Sequence, residues 1–404
     1  MTYRSKVATV FLLGFFLDLI NMFIASVAFP DMSRALNASV GELTWVSNGY
    51  IAGLTLVLPF SAWLAQRFGA RHVFLLSLLL FSAAALGAGM AESLSTLIFW
   101  RALQGMGGGL LIPVGQAMTW QYFHSHERAK LSAAVMLVGL LAPACSPALG
   151  GLLVQTFSWR WVFFASLPVA FLTLTLAAFW LKEKAKTTRP GRFLHLPLLA
   201  DPLLRFAMLI YLCVPGIFIG INVVGLFYLQ TLTGMSPSAV GSLMLPWSLA
   251  SFVAITLTGR YYNRFGPRPF IISGCLLQAA GILLLIGVGR QTSASTLISA
   301  FTLMGAGGSL CSSTAQSSAF LNIANHHLPD ASALWNINRQ LSFLAGAALL
   351  ATLLSVLLHH YPTAQAWRGV FMTAAGITLI PLLSCLRFDN RALILRLHSK
   401  MENK

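Results

Sequence analysis

The chain of 404 residues is 57% apolar and only 9% charged, and its formal net charge is +16. Soluble domains carry about 25% charged residues, so this composition excludes an ordinary globular cytosolic protein, and the high hydrophobicity excludes a disordered one. The basic residues lie between apolar runs and not on one polar face, which argues against nucleic acid as a partner. We interpret the positive excess as basic loops on the inner side of a membrane.

Apolar runs recur along the whole chain, and each is long enough to cross a bilayer, which takes about 20 residues in a helix. A segment in lipid must satisfy its own backbone hydrogen bonds, so the runs are predicted to be helices. The first run follows basic residues as a signal peptide would, but the many later runs and the lack of a cleavage site favour a retained helix. The twelve runs cover residues 8–29, 43–65, 73–91, 94–115, 131–153, 161–181, 206–229, 238–259, 269–289, 294–317, 334–358 and 368–387.

The Lys and Arg residues are distributed unevenly between the two sides of these runs. With the amino terminus inside, 21 of the 26 basic residues fall in inner segments. This asymmetry predicts a multi-pass membrane protein with both termini in the cytoplasm. The five exceptions are Arg34, Arg101, Arg160, Arg290 and Arg368.

The chain also repeats itself. Its longest polar stretch, residues 182–205, lies at the middle and is interpreted as a linker. Three motif pairs recur in the same order on either side of it at similar offsets, which indicates an internal duplication. The pairs are RFGARHVF with RFGPRPFI (67 and 264), QGMGGGLL with MGAGGSLC (104 and 304), and WRWVFFA with WRGVFMT (159 and 367).

The predicted fold is therefore an all-α polytopic membrane protein whose twelve transmembrane helices form two pseudo-symmetric six-helix bundles. Parallel repeats with a binding site at the midplane describe one transporter architecture. The predicted domains are residues 1–181 (first bundle), 182–205 (cytoplasmic linker), 206–387 (second bundle) and 388–404 (basic cytoplasmic tail).

Several motifs resemble the major facilitator superfamily, and within it the drug:proton antiporters, over nearly the whole chain. The resemblance is strongest to a branch that usually has fourteen spans, although this chain has about twelve. The segments that carry it are PFSAWLAQRFGARHVF after span 2, FWRALQGMGGG in span 4, APACSPALGGLL in span 5, SWRWVFFASLPVA at 158–170 and YLQTLTGMSPSAVGSLMLP at 228–246.

The resemblance implies a cytoplasmic latch and glycine-rich helix contacts that control alternating access. In the family, a carboxylate of the loop after span 2 closes the latch; here Gln66 and, in the second copy, Asn263 replace it. The latch would lose charge but could keep hydrogen bonds. We assign gating and helix packing to Gln66, Arg67, Gly69, Arg71, Gly105, Pro143, Pro147, Gly150, Gly151, Asn263, Arg264 and Gly266.

Two charged residues lie well inside the predicted spans. Asp18 is the only such acidic residue of the ten in the chain, and a charge at the bilayer centre costs roughly 2.5–3.5 kcal/mol on insertion scales, so it persists mainly with a partner or a function. Arg101 is the most clearly internal cation, and its guanidinium can fork toward oxygen acceptors. We predict proton coupling for both; the alternative is a structural carboxyl and a tether between spans 1 and 4.

A substrate cavity is predicted from polar or aromatic residues at suitable depth, although each is about as suited to helix packing. The chosen residues are Asn21, Trp45, Tyr50, Gln104, Asn222, Gln230 and Trp247. Few charges among them favour a neutral or weakly charged amphipathic substrate, or a cation drawn to Asp18.

The leading interpretation is a monomeric secondary transporter that exchanges protons for small amphipathic molecules or drugs, without a cofactor or metal. The five cysteines show no metal or redox spacing, and no nucleophile, base or nucleotide loop indicates an enzyme. A second interpretation keeps the fold but makes the chain a facilitator, or an exporter of a metabolite such as a sugar, siderophore or amino-acid derivative. A transport-inactive sensor or membrane enzyme is the third.

Overall fold

The computed structural model describes residues 2–182, 195–232, 234–235, 239, 242–288, 292–386, 390–391 and 393–395. In this part of the chain, a long helix overlaps each of the twelve predicted runs. Those of the first sequence half are α1 (Tyr3–Ile24), α2 (Val40–Val57, continued as Ser61–Phe68), α3 (Ala70–Gly89), α4 (Leu94–Trp120), α5 (Arg128–Thr156) and α6 (Trp161–Phe164 and Ser166–Trp180).

The second sequence half repeats this order of helices. Its helices are α7 (Pro202–Tyr211 and Ile217–Leu232, joined by a π-helical turn), α8 (Met244–Phe265), α9 (Pro267–Leu284), α10 (Ala294–Ser318), α11 (Leu328–His360) and α12 (Thr363–Leu386). Within the described residues, ten of the twelve helices are long and apolar enough to qualify as membrane spans, all except α5 and α8. The prediction of an all-α polytopic membrane fold is confirmed.

The first helix ends earlier than its apolar run predicts. α1 stops at Ile24, and a 3₁₀ turn (Ala25–Ala28) leads into a short helix, Phe29–Leu36. Pro30 occupies the first turn of that short helix. Proline lacks an N–H and its fixed φ suits the first turn of a helix, so Pro30 favours the start of a new helix at this point.

The chain forms two compact units. Unit 1 comprises residues 1–124, 138–197 and 323–337, and unit 2 comprises residues 125–137, 198–322 and 338–404. Each unit therefore takes in one short segment from the other sequence half: the start of α5 belongs to unit 2, and the start of α11 belongs to unit 1. The predicted linker residues 183–194, and most of the predicted tail 388–404, lie outside the described residues.

One helix lies at the centre of each unit, and glycines let its neighbours approach it. In unit 1, α4 packs against α1, α2 and α3; in unit 2, α10 packs against α7, α8 and α9. A methyl group added at Gly105 on α4 would collide with the carbonyl oxygen of Tyr50, and one added at Gly305 on α10 would collide with that of Trp247. Small residues of this kind allow close contact between membrane helices.

The sequence repeat also appears in the contacts between helices, because equivalent residues of the two halves make equivalent contacts. Gly105 and Gly305 are 200 residues apart, and their partners Tyr50 and Trp247 are 197 apart. The predicted gating glycines of the repeated loops also correspond, since Gly69 has φ +90° and Gly266 has φ +70°. Only glycine adopts such a conformation at little cost, so each glycine allows the sharp turn between two successive helices.

Candidate functional site

Five polar residues from three helices meet in the interior of unit 1. They are Asp18 and Asn21 on α1, Tyr50 on α2, and Arg101 and Gln104 on α4, and each is fully buried. We call these five residues the buried polar cluster. It brings together both residues predicted for proton coupling and three of those predicted for the substrate cavity.

Arg101 is the hub of the buried polar cluster. Its Nε donates to the Val46 carbonyl oxygen at 3.1 Å, one terminal nitrogen donates to Gln104 Oε1 at 2.8 Å, and the other donates to the Asn21 carbonyl oxygen at 2.9 Å. A guanidinium holds several donors in one rigid plane, which suits it to three acceptors on three different helices. Arg101 therefore fixes the relative positions of α1, α2 and α4.

Tyr50 connects Arg101 to Asp18. Its hydroxyl donates to Asp18 Oδ1, and its ring lies 4.4 Å from the Arg101 guanidinium carbon. A cation over an aromatic face is attracted by the ring quadrupole. Gly108 leaves space for this arrangement, because a methyl group there would collide with the Asp18 carboxylate and would lie 2.6 Å from the Tyr50 hydroxyl.

Asn21 and Gln104 complete the hydrogen bonding of the buried polar cluster. Gln104 Nε2 donates to Asn21 Oδ1 at 3.0 Å, and Asn21 Nδ2 donates to the Leu17 carbonyl oxygen at 2.9 Å. The two amides thus link α4 to α1 without adding charge. A change in the charge of Asp18 would alter the electrostatic interactions of Arg101, to which Tyr50 connects it. It would therefore affect the packing of α1, α2 and α4.

The other predicted cavity residues lie elsewhere. Trp45 on α2 is 58% exposed. In unit 2, Trp247 stacks on Phe218 with ring centroids 5.2 Å apart, and the Asn222 amide donates to the Phe218 carbonyl oxygen at 3.4 Å. The side chain of Gln230 lies outside the described residues.

The equivalent interior of unit 2 has no comparable charge among the described residues. At the offsets of the repeat, Trp247 takes the place of Tyr50, Phe301 that of Arg101 and Met304 that of Gln104. These residues belong to, or pack against, one hydrophobic core. A residue-by-residue alignment of the two sequence halves could have revealed this difference. The cavity residues were instead predicted from their depth in the spans.

The predicted latch residues make hydrogen bonds at the helix ends. Gln66 Nε2 donates to Asp330 Oδ2 at 3.0 Å within unit 1, and Asn263 Nδ2 donates to the His126 carbonyl oxygen within unit 2. Asp330 lies at the start of α11 and is 4% exposed. The sequence analysis missed this carboxylate because no periodicity relates two residues 264 positions apart.

The predicted gating cations are held in different ways. The Arg67 guanidinium carbon lies 5.4 Å from the Trp63 ring centroid, and that of Arg264 lies 5.3 Å from the Phe265 ring centroid. Arg71 donates to the Ala178 carbonyl oxygen at 2.9 Å. Arg67 and Arg264 are exposed next to aromatic rings, whereas Arg71 joins α3 to α6.

The glycines and prolines predicted for gating in α5 differ in their surroundings. A methyl group at Gly150 would lie 3.1 Å from Ile24 of α1, whereas one at Gly151 would have no neighbour within 4 Å. The side chains of Pro143 and Pro147 lie outside the described residues. Gly150 therefore marks a close approach between α1 and α5, and Gly151 does not.

Two of the cysteines, 36 positions apart in the sequence, are neighbours in unit 2. The Cys275 and Cys311 sulfur atoms are 3.8 Å apart, in the interface between α9 and α10, and both thiols are free and buried. A methyl group at Gly274 would lie 2.6 Å from the Cys311 sulfur. Sequence spacing alone did not indicate this proximity.

Replacing Gln66 with glutamate is expected to weaken the latch of unit 1, although family members carry an acidic residue there. The new carboxylate would face Asp330, and two like charges about 4 Å apart repel by roughly 1 kcal/mol in water and about 4 kcal/mol near a protein surface. The apparent melting temperature of the purified protein at pH 8 should therefore fall by a few degrees.

The double variant Gln66→Glu with Asp330→Asn is the matched control, since it restores one carboxylate and one amide in exchanged positions. It should recover most of the lost stability. If Gln66→Glu alone is as stable as the wild type, the hydrogen bond between Gln66 and Asp330 contributes nothing to the latch.

Comparison with known proteins agrees with the fold. A putative multidrug resistance protein MdtD of Yersinia enterocolitica is 28% identical over 86% of this chain and 86% of its own. A multidrug resistance protein B homolog of Mycobacterium tuberculosis is 25% identical over 90% of this chain and 77% of its own.

Two solved structures share the fold. The human organic anion transporter MFSD10 superposes with a TM-score of 0.75 at 18% identity, over 95% of this chain and 100% of its own. The proton:xylose symporter XylE has the same score at 16% identity, over 96% of both chains. The family model of the Major Facilitator Superfamily matches residues 11–347 and 207–402. The chain thus belongs to the major facilitator superfamily and is a multi-pass membrane transporter of small molecules, not an enzyme.

Proposed function

We propose that this transporter exports small amphipathic molecules, including drugs, in exchange for protons. The observation that carries the proposal is Asp18, a carboxylate in the first membrane helix that is fully buried and joined through Tyr50 to Arg101. Ionisable groups inside membrane spans mark proton and substrate pathways. The multidrug resistance names of several relatives support drugs as the substrate class.

Asp18 is proposed to carry the proton. When Asp18 is ionised, its negative charge balances Arg101, and the Tyr50 hydroxyl donates to the carboxylate. When Asp18 is protonated, Arg101 keeps a buried positive charge whose acceptors are the Asn21 and Val46 carbonyl oxygens and Gln104. The two protonation states therefore favour different packing of α1 against α2 and α4, which is how proton binding would bias a conformational change.

Exchange of protons for substrate results if binding of the proton and binding of the substrate exclude each other. Asp18 takes up a proton when it faces outside, and substrate entry from the cytoplasm favours its release when it faces inside. This requires only a differential affinity of the two ligands for two conformations. The gradient of protons then drives export without nucleotide hydrolysis.

Unit 2 is proposed to contribute a more apolar contact surface. Trp247 is half-buried and stacked on Phe218, and Asn222 is a nearby polar group on the same helix as Phe218. Aromatic faces with few polar groups suit ligands that are mostly apolar. We also propose that the substrate contacts Asn21, Trp45 and Gln104 of unit 1 and Gln230 of unit 2.

We propose a monomer in a bacterial inner membrane, with both termini in the cytoplasm, two bundles at residues 1–181 and 206–387, and a linker at 182–205. The distribution of Lys and Arg supports this orientation. The gating role assigned to the glycines, prolines and loop residues is part of the same proposal.

A ligand panel at two pH values tests the function. Purified protein should be stabilised against heat by some amphipathic drugs, and this stabilisation should weaken as the pH falls from 8 to 6, because protons compete with the ligand. The same ligands should then be taken up by inverted proteoliposomes when a pH gradient is imposed. Ligand binding that is insensitive to pH, together with uptake that ignores the gradient, would refute proton coupling.

A facilitator or metabolite exporter is the second candidate. It is favoured by Gln66 and Asn263, the amides that replace the latch carboxylate of the family, and by Asn21, an amide that links α1 to Gln104 without adding charge. Counterflow of a labelled sugar, siderophore or amino-acid derivative without any imposed gradient would support this candidate over proton exchange.

A further inference from the structure

Unit 1 contains a second polar site, separate from the buried polar cluster. A cavity of about 340 Å³ opens between the ends of α1, α2, α4 and α6, the loop before α3 and the start of α11. Its polar walls include Tyr3, Arg71, Gln121, Tyr122, Lys182 and His326. In the proposed orientation this cavity is on the cytoplasmic side.

The charge of the cavity wall is of one sign. Arg71 and Lys182 are cationic, and the described residues that line the cavity include no carboxylate. Asp330 follows the lining residue Pro329, but its own carboxylate accepts a hydrogen bond from Gln66. A cavity whose charged groups are basic favours an anion.

The basic groups are held in place by neighbouring backbone and aromatic groups. Arg71 donates to the Ala178 carbonyl oxygen at 2.9 Å. The Lys182 backbone N–H donates to the Tyr3 hydroxyl oxygen at 3.0 Å, and its ammonium lies 5.6 Å from the Tyr3 ring centroid. These contacts place both cations at the rim of one cavity before any ligand arrives, which lowers the entropy cost of binding.

Two phenols lie beside the cations in the cavity wall. The Tyr3 and Tyr122 rings meet edge to face with centroids 5.1 Å apart. Burial and a hydrogen bond with Tyr3 raise the pKa of Tyr122 to about 12. The Tyr122 phenol therefore stays protonated at cellular pH and repels no anion.

We propose that this cavity binds the phosphate group of a phosphate ester. Arg and Lys form charge-assisted hydrogen bonds to phosphate oxygens, and phenol and amide donors supply the remaining contacts. The volume of about 340 Å³ lies within the range of about 300–1,000 Å³ that is typical of small-molecule sites, so part of the ester group fits as well. The ester is carried either by an anionic lipid headgroup or by a soluble cytoplasmic molecule.

Binding is tested on the purified full-length protein in a neutral detergent. Sodium phosphate and sn-glycerol 3-phosphate are titrated against sodium chloride at equal ionic strength, with the melting temperature as the readout. The phosphate compounds should raise the melting temperature above the chloride series. The double variant Lys182→Gln with His326→Gln should need roughly tenfold more ligand for the same rise, because it loses charge-assisted hydrogen bonds.

Lys130→Gln is the matched control, because Lys130 is an exposed cytoplasmic lysine that does not line the cavity. It should respond as the wild type does. Equal responses of the wild type and the double variant, or equal responses to phosphate and chloride, overturn the proposal. If the double variant does not fold, Lys182→Arg and Lys182→Gln replace it, and only the first should retain binding.

A second arm identifies the source of the ester. Protein is extracted from vesicles of phosphatidylglycerol and phosphatidylcholine, and the retained lipid is counted by native mass spectrometry. Selective retention of phosphatidylglycerol that is lost in the double variant supports a lipid headgroup. Stabilisation by glycerol 3-phosphate without lipid selectivity supports a soluble ester. If neither result is obtained, the cavity binds no phosphate ester and the proposal is refuted.

Discussion

Replacing Asp18 with asparagine is expected to reduce pH-gradient-driven uptake in inverted proteoliposomes to the level of protein-free vesicles. Asparagine has nearly the same shape and can accept the Tyr50 hydrogen bond, but it cannot carry a proton. Since no other acidic residue lies well within a span, no nearby carboxylate can replace it. Substrate counterflow without a gradient should persist, because that exchange needs no proton.

Two further variants sharpen this result. Asp31→Asn is the matched control, since Asp31 pairs with Arg34 on the short helix after α1, away from the buried polar cluster; it should leave coupling unchanged. Tyr50→Phe keeps the ring beside Arg101 but removes the hydroxyl that bonds Asp18, so it should shift the pH dependence of uptake without abolishing it. Full gradient-driven uptake by Asp18→Asn would mean that the proton is carried elsewhere.

Replacing Gly105 with alanine is expected to destabilise the protein by about 3 kcal/mol, at the upper end of the range for overpacking. The added methyl group would collide with the carbonyl oxygen of Tyr50. Because the obstacle is backbone and not the end of a flexible side chain, α2 and α4 must move apart to relieve it. Gly305→Ala should cost about as much, since its obstacle is the carbonyl oxygen of Trp247.

Gly376→Ala on α12 provides the control for this prediction. A methyl group there would have no neighbour within 4 Å, and alanine is favoured over glycine within a helix by roughly 0.5–1 kcal/mol. This variant should be as stable as the wild type or slightly more so in thermal unfolding. If Gly105→Ala and Gly376→Ala melt at the same temperature, close packing at Gly105 is not what stabilises unit 1.

The sequence predicted the helices well because membrane spans depend on local composition. Their ends were less predictable: α11 starts at Leu328 and ends at His360, beyond the apolar run 334–358 on both sides. Polar residues can extend a helix past the region of high hydropathy, so hydropathy alone does not locate its ends. Asp18 and Arg101 were identifiable because charges within spans are rare.

Contacts between distant segments were not predictable in the same way. The hydrogen bond between Gln66 and Asp330, and the proximity of Cys275 and Cys311, depend on which helix faces meet. One sequence does not contain that information, because helical periodicity orients a face only relative to its own helix. The internal repeat did contain part of this information, because the equivalent glycines Gly105 and Gly305 make equivalent helix contacts.

The difference between the interiors of the two units has an electrical consequence for the proposed exchange. The duplicated framework places a titratable acid at Asp18 in unit 1, while unit 2 has Trp247, Phe301 and Met304 at the positions equivalent by sequence to Tyr50, Arg101 and Gln104. One carboxylate carries at most one proton in each cycle. Export of a neutral molecule would then move one net charge inward and gain about 2.3 kcal/mol per 100 mV from the membrane potential. Export of a monovalent cation would move no net charge and would depend on the pH gradient alone.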